Sequence, residues 1–281
     1  MTIASSRCYS YLMDNHFTPE SRQEMLDRVL TALKADERII GVLIVGSGAV
    51  GFDDDLSDID LCIVCPDDQT LTIYKDWRER FEKLLPVIGC SPVTYSPTSH
   101  LYALLLDGFL ELDAGFISIG SLTAKKERWK VAFDRSGRIK EIMQRTWAER
   151  REPDIRTEYL RRASGIWHVI MHVGQAIMRG HPWKALYYLE IIRTRTIELA
   201  CLRLGLNAGH YRQADCLSAE FLDALRTTLP TSMDDAELLR AWKASVECFF
   251  HEAGLWDKML GMDLARLEPK MQEYINLISS S

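Results

Sequence analysis

GVLIVGSGAVGFDDDLSDIDLCIVC, residues 41–65, decides how this chain is read. Ile39 to Val45 is a short, β-branched apolar run, which predicts a buried strand. Residues 46–57 hold three glycines and three consecutive aspartates, which predicts a loop opening on a Gly46-Ser47 turn. Residues 58–65 form a second apolar run that carries Asp58 and Asp60 and ends at the turn signal Pro66-Asp67-Asp68. On a strand, residues i and i+2 face the same side, so Asp58 and Asp60 aim two carboxylates at one point while Ile59 and Leu61 face the core. Paired hard oxygens suit Mg²⁺, which is held through one or two carboxylates plus substrate phosphates. A small Gly-Ser turn lets backbone N–H groups approach those phosphates, with the Ser47 hydroxyl as a further donor.

Outward from this stretch, Ser21 and Glu24 have capping-box spacing, and Met25, Val29, Leu30 and Leu33 follow at helical intervals, so a helix is expected over about 20–35. Ile73, Trp77, Phe81, Leu84 and Leu85 line one face of an amphipathic helix over 70–85. A Pro- and Ser-rich loop is expected to about 99. Asp107-Gly108 then lies between two β-rich segments, a strong hairpin signal. On the second strand of that hairpin Phe109, Glu111 and Asp113 share one face, and Leu110 and Leu112 the other. Trp129 to Phe133 reads as a last strand before the turn Asp134-Arg135-Ser136-Gly137.

Beyond residue 138 the pattern becomes helical, with segments expected near 138–149, 156–179, 183–204, 218–228, 234–253 and 263–278. The fold class is therefore α+β: a mixed-sheet domain over 1–140, followed by an all-α helical bundle over 141–281.

Composition narrows the function. With 47% hydrophobic and 26% charged residues the chain has the make-up of an ordinary globular protein. No apolar run reaches the ~18 residues of a membrane span, and the first 30 residues lack a signal-peptide core, so a cytoplasmic location is expected, with no membrane partner. Seven scattered cysteines predict free thiols. Cys62 and Cys65 have C-x-x-C spacing but sit in an apolar run, which favours core positions over a zinc site. Residues 41–113 hold thirteen Asp/Glu against four Lys/Arg, a balance of −9 within a total of −6. Such a field repels a nucleic-acid backbone and attracts metal ions or cationic ligands.

A strand ending in Gly46-Ser47, a ten-residue spacer and Asp58-Ile59-Asp60-Leu61 on the next strand resembles the signature of the nucleotidyltransferase superfamily, the fold of DNA polymerase β. The resemblance implies Mg²⁺, as two ions, with ATP or another NTP as co-substrate, and a third carboxylate on a neighbouring strand. Asp113 is assigned to that metal or base role, with Glu111 as the alternative base. A minimal domain of this kind followed by helices is similar to the antibiotic nucleotidyltransferases that act on aminoglycosides or lincosamides. By that similarity Gly46, Ser47, Arg193 and Arg212 would contact the nucleotide, and a homodimer is implied. Arg193, on a largely apolar helix, equally fits a structural ion pair with Glu190 or Glu198.

The implied reaction is transfer of a nucleoside monophosphate, AMP from ATP, to a hydroxyl of a small-molecule acceptor, with pyrophosphate released. The alternative is a toxin-antitoxin-type or regulatory protein acting on a protein partner. Arg162 and His168 match a short motif of helical domains in such systems. His168 and His172 also have metal-ligand spacing, with helix packing as the default. Trp147, Trp167, Trp183, Trp242 and Trp256 are candidates for cleft walls or for the core.

Overall fold

The computed structural model describes residues 18–52, 56–151 and 153–280. The chain divides into two compact units, Met1–Arg151 and Glu152–Ser281.

In the first unit, helix α1 (Pro19–Ala35) starts one cap earlier than the Ser21 spacing predicts. Thr18 is the N-cap: its hydroxyl accepts the Ser21 N–H at 3.3 Å, and Pro19 occupies the first turn, where a missing N–H costs nothing. Strand β1 (Gly41–Val45) leads through a 3₁₀ turn at 47–49 towards β2 (Ile59–Cys65). Helix α2 (Thr70–Leu84) follows, then β3 (Val87–Ser96), β4 (Ser99–Leu106), β5 (Glu111–Ser118), β6 (Trp129–Asp134) and helix α3 (Ile139–Ala148).

The six strands are ordered β3-β4-β5-β2-β1-β6. Every neighbouring pair is antiparallel except β2 and β5, which run parallel, so the sheet is mixed. The expected loop before residue 99 is instead edge strand β3. Its residues are half-buried or exposed and Pro92 lies within it, so it lacks the apolar alternation by which a strand is recognised.

The sheet has two covered faces. On one, Leu26, Val29 and Leu33 of α1 and Ile73, Trp77 and Phe81 of α2 pack on Ile59, Leu61, Ile63, Leu112 and Phe116. Burying side chains of the size of Trp77 or Phe81 contributes about 2–3 kcal/mol each. On the other face, Ile139, Ile142 and Met143 of α3 pack with Leu43 and Val64. This packing ties α3 to the first unit, so the compact unit extends past the boundary expected at 140 and reaches Arg151. Cys62 and Cys65, three apart on β2, fall on opposite faces of the sheet, and burial pushes both thiols up to about 12. They do not form a C-x-x-C site. Every cysteine among residues 18–280 that the structure describes is a free thiol.

The second unit holds α4 (Ile155–Ala163), α5 (Ile166–Met178), α6 (Pro182–Arg203), α7 (Ala219–Thr227), α8 (Asp235–Leu260) and α9 (Glu268–Ser279). The single helix expected over 156–179 is broken into α4 and α5 at Gly165, whose φ of 72° is left-handed. Helix α8 runs on to Leu260, ending on left-handed Gly261, and α9 begins only after a 3₁₀ turn at 265–267. Trp242 and Trp256 are core residues with Tyr159, Phe249 and Phe250, whereas Trp167 and Trp183 are exposed. No helix of the described residues is long and apolar enough to cross a membrane.

Candidate active site

The parallel pairing of β2 and β5 sets Asp60 directly opposite Asp113, and β1 sets Val45 opposite Asp60 on the other side. Ile59 and Leu112 are fully buried on the face covered by α1 and α2, so alternation turns Asp60 and Asp113 to the opposite face. Asp58 lies one residue before β2 and is exposed; Glu111 opens β5 and is also exposed.

These carboxylates act on one another. Asp113 is pushed up to about 6, first by burial and then by the negative charges of Asp60, Glu111 and Asp58. Its Oδ1 is buried with no hydrogen-bond partner. Asp60 Oδ2 accepts a hydrogen bond from Lys126 Nζ at 3.2 Å, in an ion pair whose Lys side chain is 49% exposed. An unsatisfied carboxylate oxygen among mutually repelling acids could hold a hard dication, with Lys126 as the competing positive charge. Among the described residues no three His, Cys, Asp or Glu side chains converge into a complete cage by themselves. A cavity of about 280 Å³ opens beside the two carboxylates, lined by Asp60, Asp113 and Lys126 and, among its apolar walls, by Leu101, Trp129 and Met143.

The turn after β1 is shaped for close approach. Gly46 has φ 72° and ψ −144°, and a Cβ there would collide with Asp60 Oδ2. Val50 N–H donates to Ser47 O at 3.1 Å, closing the 3₁₀ turn that presents Ser47. The three consecutive aspartates, 53–55, lie outside the described residues.

Two contributing residues escaped the sequence reading. Arg22, buried on α1, donates from Nε to Ser57 O at 2.7 Å and so holds the backbone just ahead of Asp58. An arginine at the head of the Leu26, Val29, Leu33 stripe was the available signal. Lys126 had none, because its link to Asp60 spans 66 residues.

In the second unit Arg193 is buried: its Nε donates to Thr228 Oγ1 and its Nη2 to Thr228 O, both at 2.9 Å, and it pairs with Glu190. The ion pair with Glu190 that the sequence allowed is thus formed. Arg212 is exposed, in the turn after Tyr211, whose hydroxyl meets Thr194 Oγ1 at 2.6 Å. Arg162 is held by Glu158 and Glu198. Half-buried His172 packs against Tyr188 of α6, in keeping with the helix packing expected by default, whereas His168 is exposed, and their Nε2 atoms lie 2.9 Å apart.

The sequence profile of the family described as streptomycin adenylyltransferase matches residues 20–276. No curated protein matches the chain. Among solved structures, an aminoglycoside 6-adenyltransferase from Bacillus subtilis aligns with 15% identity over 92% of this chain and 98% of its own, at a TM-score of 0.45. A nucleotidyltransferase-like protein from Exiguobacterium sibiricum aligns with 11% identity over 84% of this chain and 78% of its own, at a TM-score of 0.38.

Proposed function

Because the chain belongs to the streptomycin adenylyltransferase family and is thereby a nucleotidyltransferase, we propose that it moves AMP from ATP to a hydroxyl of an aminoglycoside antibiotic. The bond from the acceptor oxygen to the α-phosphorus forms, the α–β phosphoanhydride breaks, and pyrophosphate leaves with its electron pair. The observation that carries this reading to the atomic level is the register of Asp60 opposite Asp113, with Asp113 Oδ1 buried and unpartnered.

Asp58, Asp60 and Asp113 would hold Mg²⁺, which supplies charge neutralisation on the triphosphate and the leaving group. Gly46, having no side chain, lets the Asp60 carboxylate lie against the turn, and Ser47 would donate to the phosphates. Arg22 fixes the approach to Asp58 through Ser57. The acceptor's proton passes to Asp113, or to Glu111 as the alternative base. Of the two arginines that the family resemblance assigns to the nucleotide, Arg212 is exposed, while Arg193 is engaged by Glu190 and Thr228. The −9 balance over residues 41–113 suits a polycationic acceptor better than a lincosamide with its single amine. The family assignment runs against the protein-modifying alternative.

The test is incubation with α-labelled ATP, Mg²⁺ and an aminoglycoside panel that includes streptomycin. Wild type should yield labelled antibiotic and pyrophosphate, and Asp60→Ala should be slower by roughly 10³-fold, as for loss of a group that stabilises transition-state charge. Equal transfer by both proteins would sink the assignment of Asp60, and label appearing only on a co-purifying protein would sink the choice of acceptor.

A further inference from the structure

Helix α5 carries two histidines one turn apart on a face that the core does not use. Ile166, Val169, Ile170 and Val173 are buried, whereas His168 is exposed and His172 half-buried. Positions i and i+4 are surface neighbours on a helix. Here the contact is direct, with His168 Nε2 and His172 Nε2 2.9 Å apart.

Both rings are oriented by what surrounds them. Tyr188 of α6 stacks on His172, centroids 4.9 Å apart at 20°, and Trp167 meets His168 edge-on at 5.5 Å. His172 Nδ1 lies 3.2 Å from Gln175 Oε1. An amide oxygen only accepts, so Nδ1 carries the ring proton and Nε2 presents a lone pair towards His168. A ligating histidine is characteristically oriented in this way, by a hydrogen bond from its other ring nitrogen.

We propose that His168 and His172 form a bidentate site for a borderline transition-metal dication such as Ni²⁺ or Cu²⁺. Metal–imidazole bonds of about 2.0–2.1 Å at the right angle of a square-planar or octahedral ion place the two nitrogens about 2.9 Å apart; a tetrahedral angle needs about 3.4 Å. The 2.9 Å of the metal-free pair is a hydrogen-bond distance, so both rings turn to aim their lone pairs at the ion. Imidazole donors select these borderline ions over Mg²⁺, which keeps the site chemically distinct from the carboxylates of the first unit. In the metal-free chain His168 Nε2–H donates to His172 Nε2. On binding, that proton moves through solvent to His168 Nδ1, so both Nε2 atoms become ligands with no change in ring charge. Among the described residues no third His, Cys, Asp or Glu joins the pair, so the other coordination positions take water or an external donor.

The experiment is calorimetric titration of the tag-free full chain with NiCl₂, in excess Mg²⁺ to fill the carboxylate site. One saturable site is expected, weakened at least tenfold in His168→Ala and in His172→Ala and about tenfold in Gln175→Ala. The bound Cu²⁺ form should show hyperfine coupling to two nitrogens. Circular dichroism guards against misfolding, and adenylyl transfer should be unchanged in all three variants. Absence of saturable Ni²⁺ binding by wild type, or equal stoichiometry and affinity in the His168→Ala/His172→Ala double variant, would overturn the assignment.

Discussion

Lys126 Nζ donates to Asp60 Oδ2 across 3.2 Å, so a carboxylate proposed to hold a metal has a cation of the chain beside it. The lysine is half exposed, and such pairs contribute no more than about 1 kcal/mol, a factor of roughly five in affinity. Lys126→Met is therefore expected to tighten nucleotide-free Mn²⁺ binding by up to about fivefold, as read from the free-ion electron spin resonance signal. Unchanged or weaker binding would show that Lys126 and the metal do not compete.

Asp113 should reveal a conflict between stability and function. Its carboxyl is pushed up to about 6 from an ordinary 3.8, so between those values the folded chain binds more protons than the unfolded one. Stability then falls as pH rises through that window. Asp113→Asn removes the penalty, and after discounting for partial exposure the variant should be about 1–2 kcal/mol more stable than wild type at pH 8, with little difference near pH 4. Urea midpoints at the two pH values measure this. Adenylyl transfer should be lost in the same variant.

Gly46→Ala combines a left-handed backbone with a collision against Asp60 Oδ2. The conformational part alone costs about 1–2 kcal/mol, and the displaced carboxylate should weaken Mn²⁺ binding by about tenfold, as does loss of a group that orients a ligand. A variant with wild-type metal affinity would mean that Asp60 does not hold the ion.

Away from the site, the buried Asp36 carboxylate accepts from Arg38, from Arg80 at 2.9 Å and from Trp77 Nε1 at 3.1 Å. The Arg38 hydrogen bond, above all, holds its carboxyl down to about 2. Its contribution, roughly 2 kcal/mol, is present at neutral pH and disappears as pH falls from about 4 to about 2. Asp36→Asn should lower the thermal midpoint at pH 7 and converge with wild type near pH 2, with transfer per folded molecule unchanged.

Periodicity and turn chemistry are local, and whatever depends on them was readable from the chain alone. Asp58, Asp60 and the Gly46-Ser47 turn were legible because a strand, a small-residue turn and an acid-apolar-acid triplet are neighbours in sequence. The hairpin at Asp107-Gly108, and with it the common face of Glu111 and Asp113, followed from the turn signal and alternation by twos, although Phe109, expected on the strand, belongs with φ 62° to a three-residue loop between Leu106 and Leu110. The helices were legible as apolar stripes, although Gly165 divides one that the pattern joined.

Tertiary structure alone decided what the pieces do together. Only the parallel pairing of β2 with β5 puts Asp60 opposite Asp113, fifty-three residues on, and leaves the latter's Oδ1 buried and unpartnered. Only folding brings Lys126 to Asp60, Arg22 to Ser57 and Thr228 to Arg193. Edge strand β3, exposed and interrupted by Pro92, exists because β4 offers it a hydrogen-bonding partner. The sequence by itself determined which groups could bear the chemistry; their pairing and protonation were decided by sheet register and burial, which link residues far apart in the chain and leave no periodic trace in it.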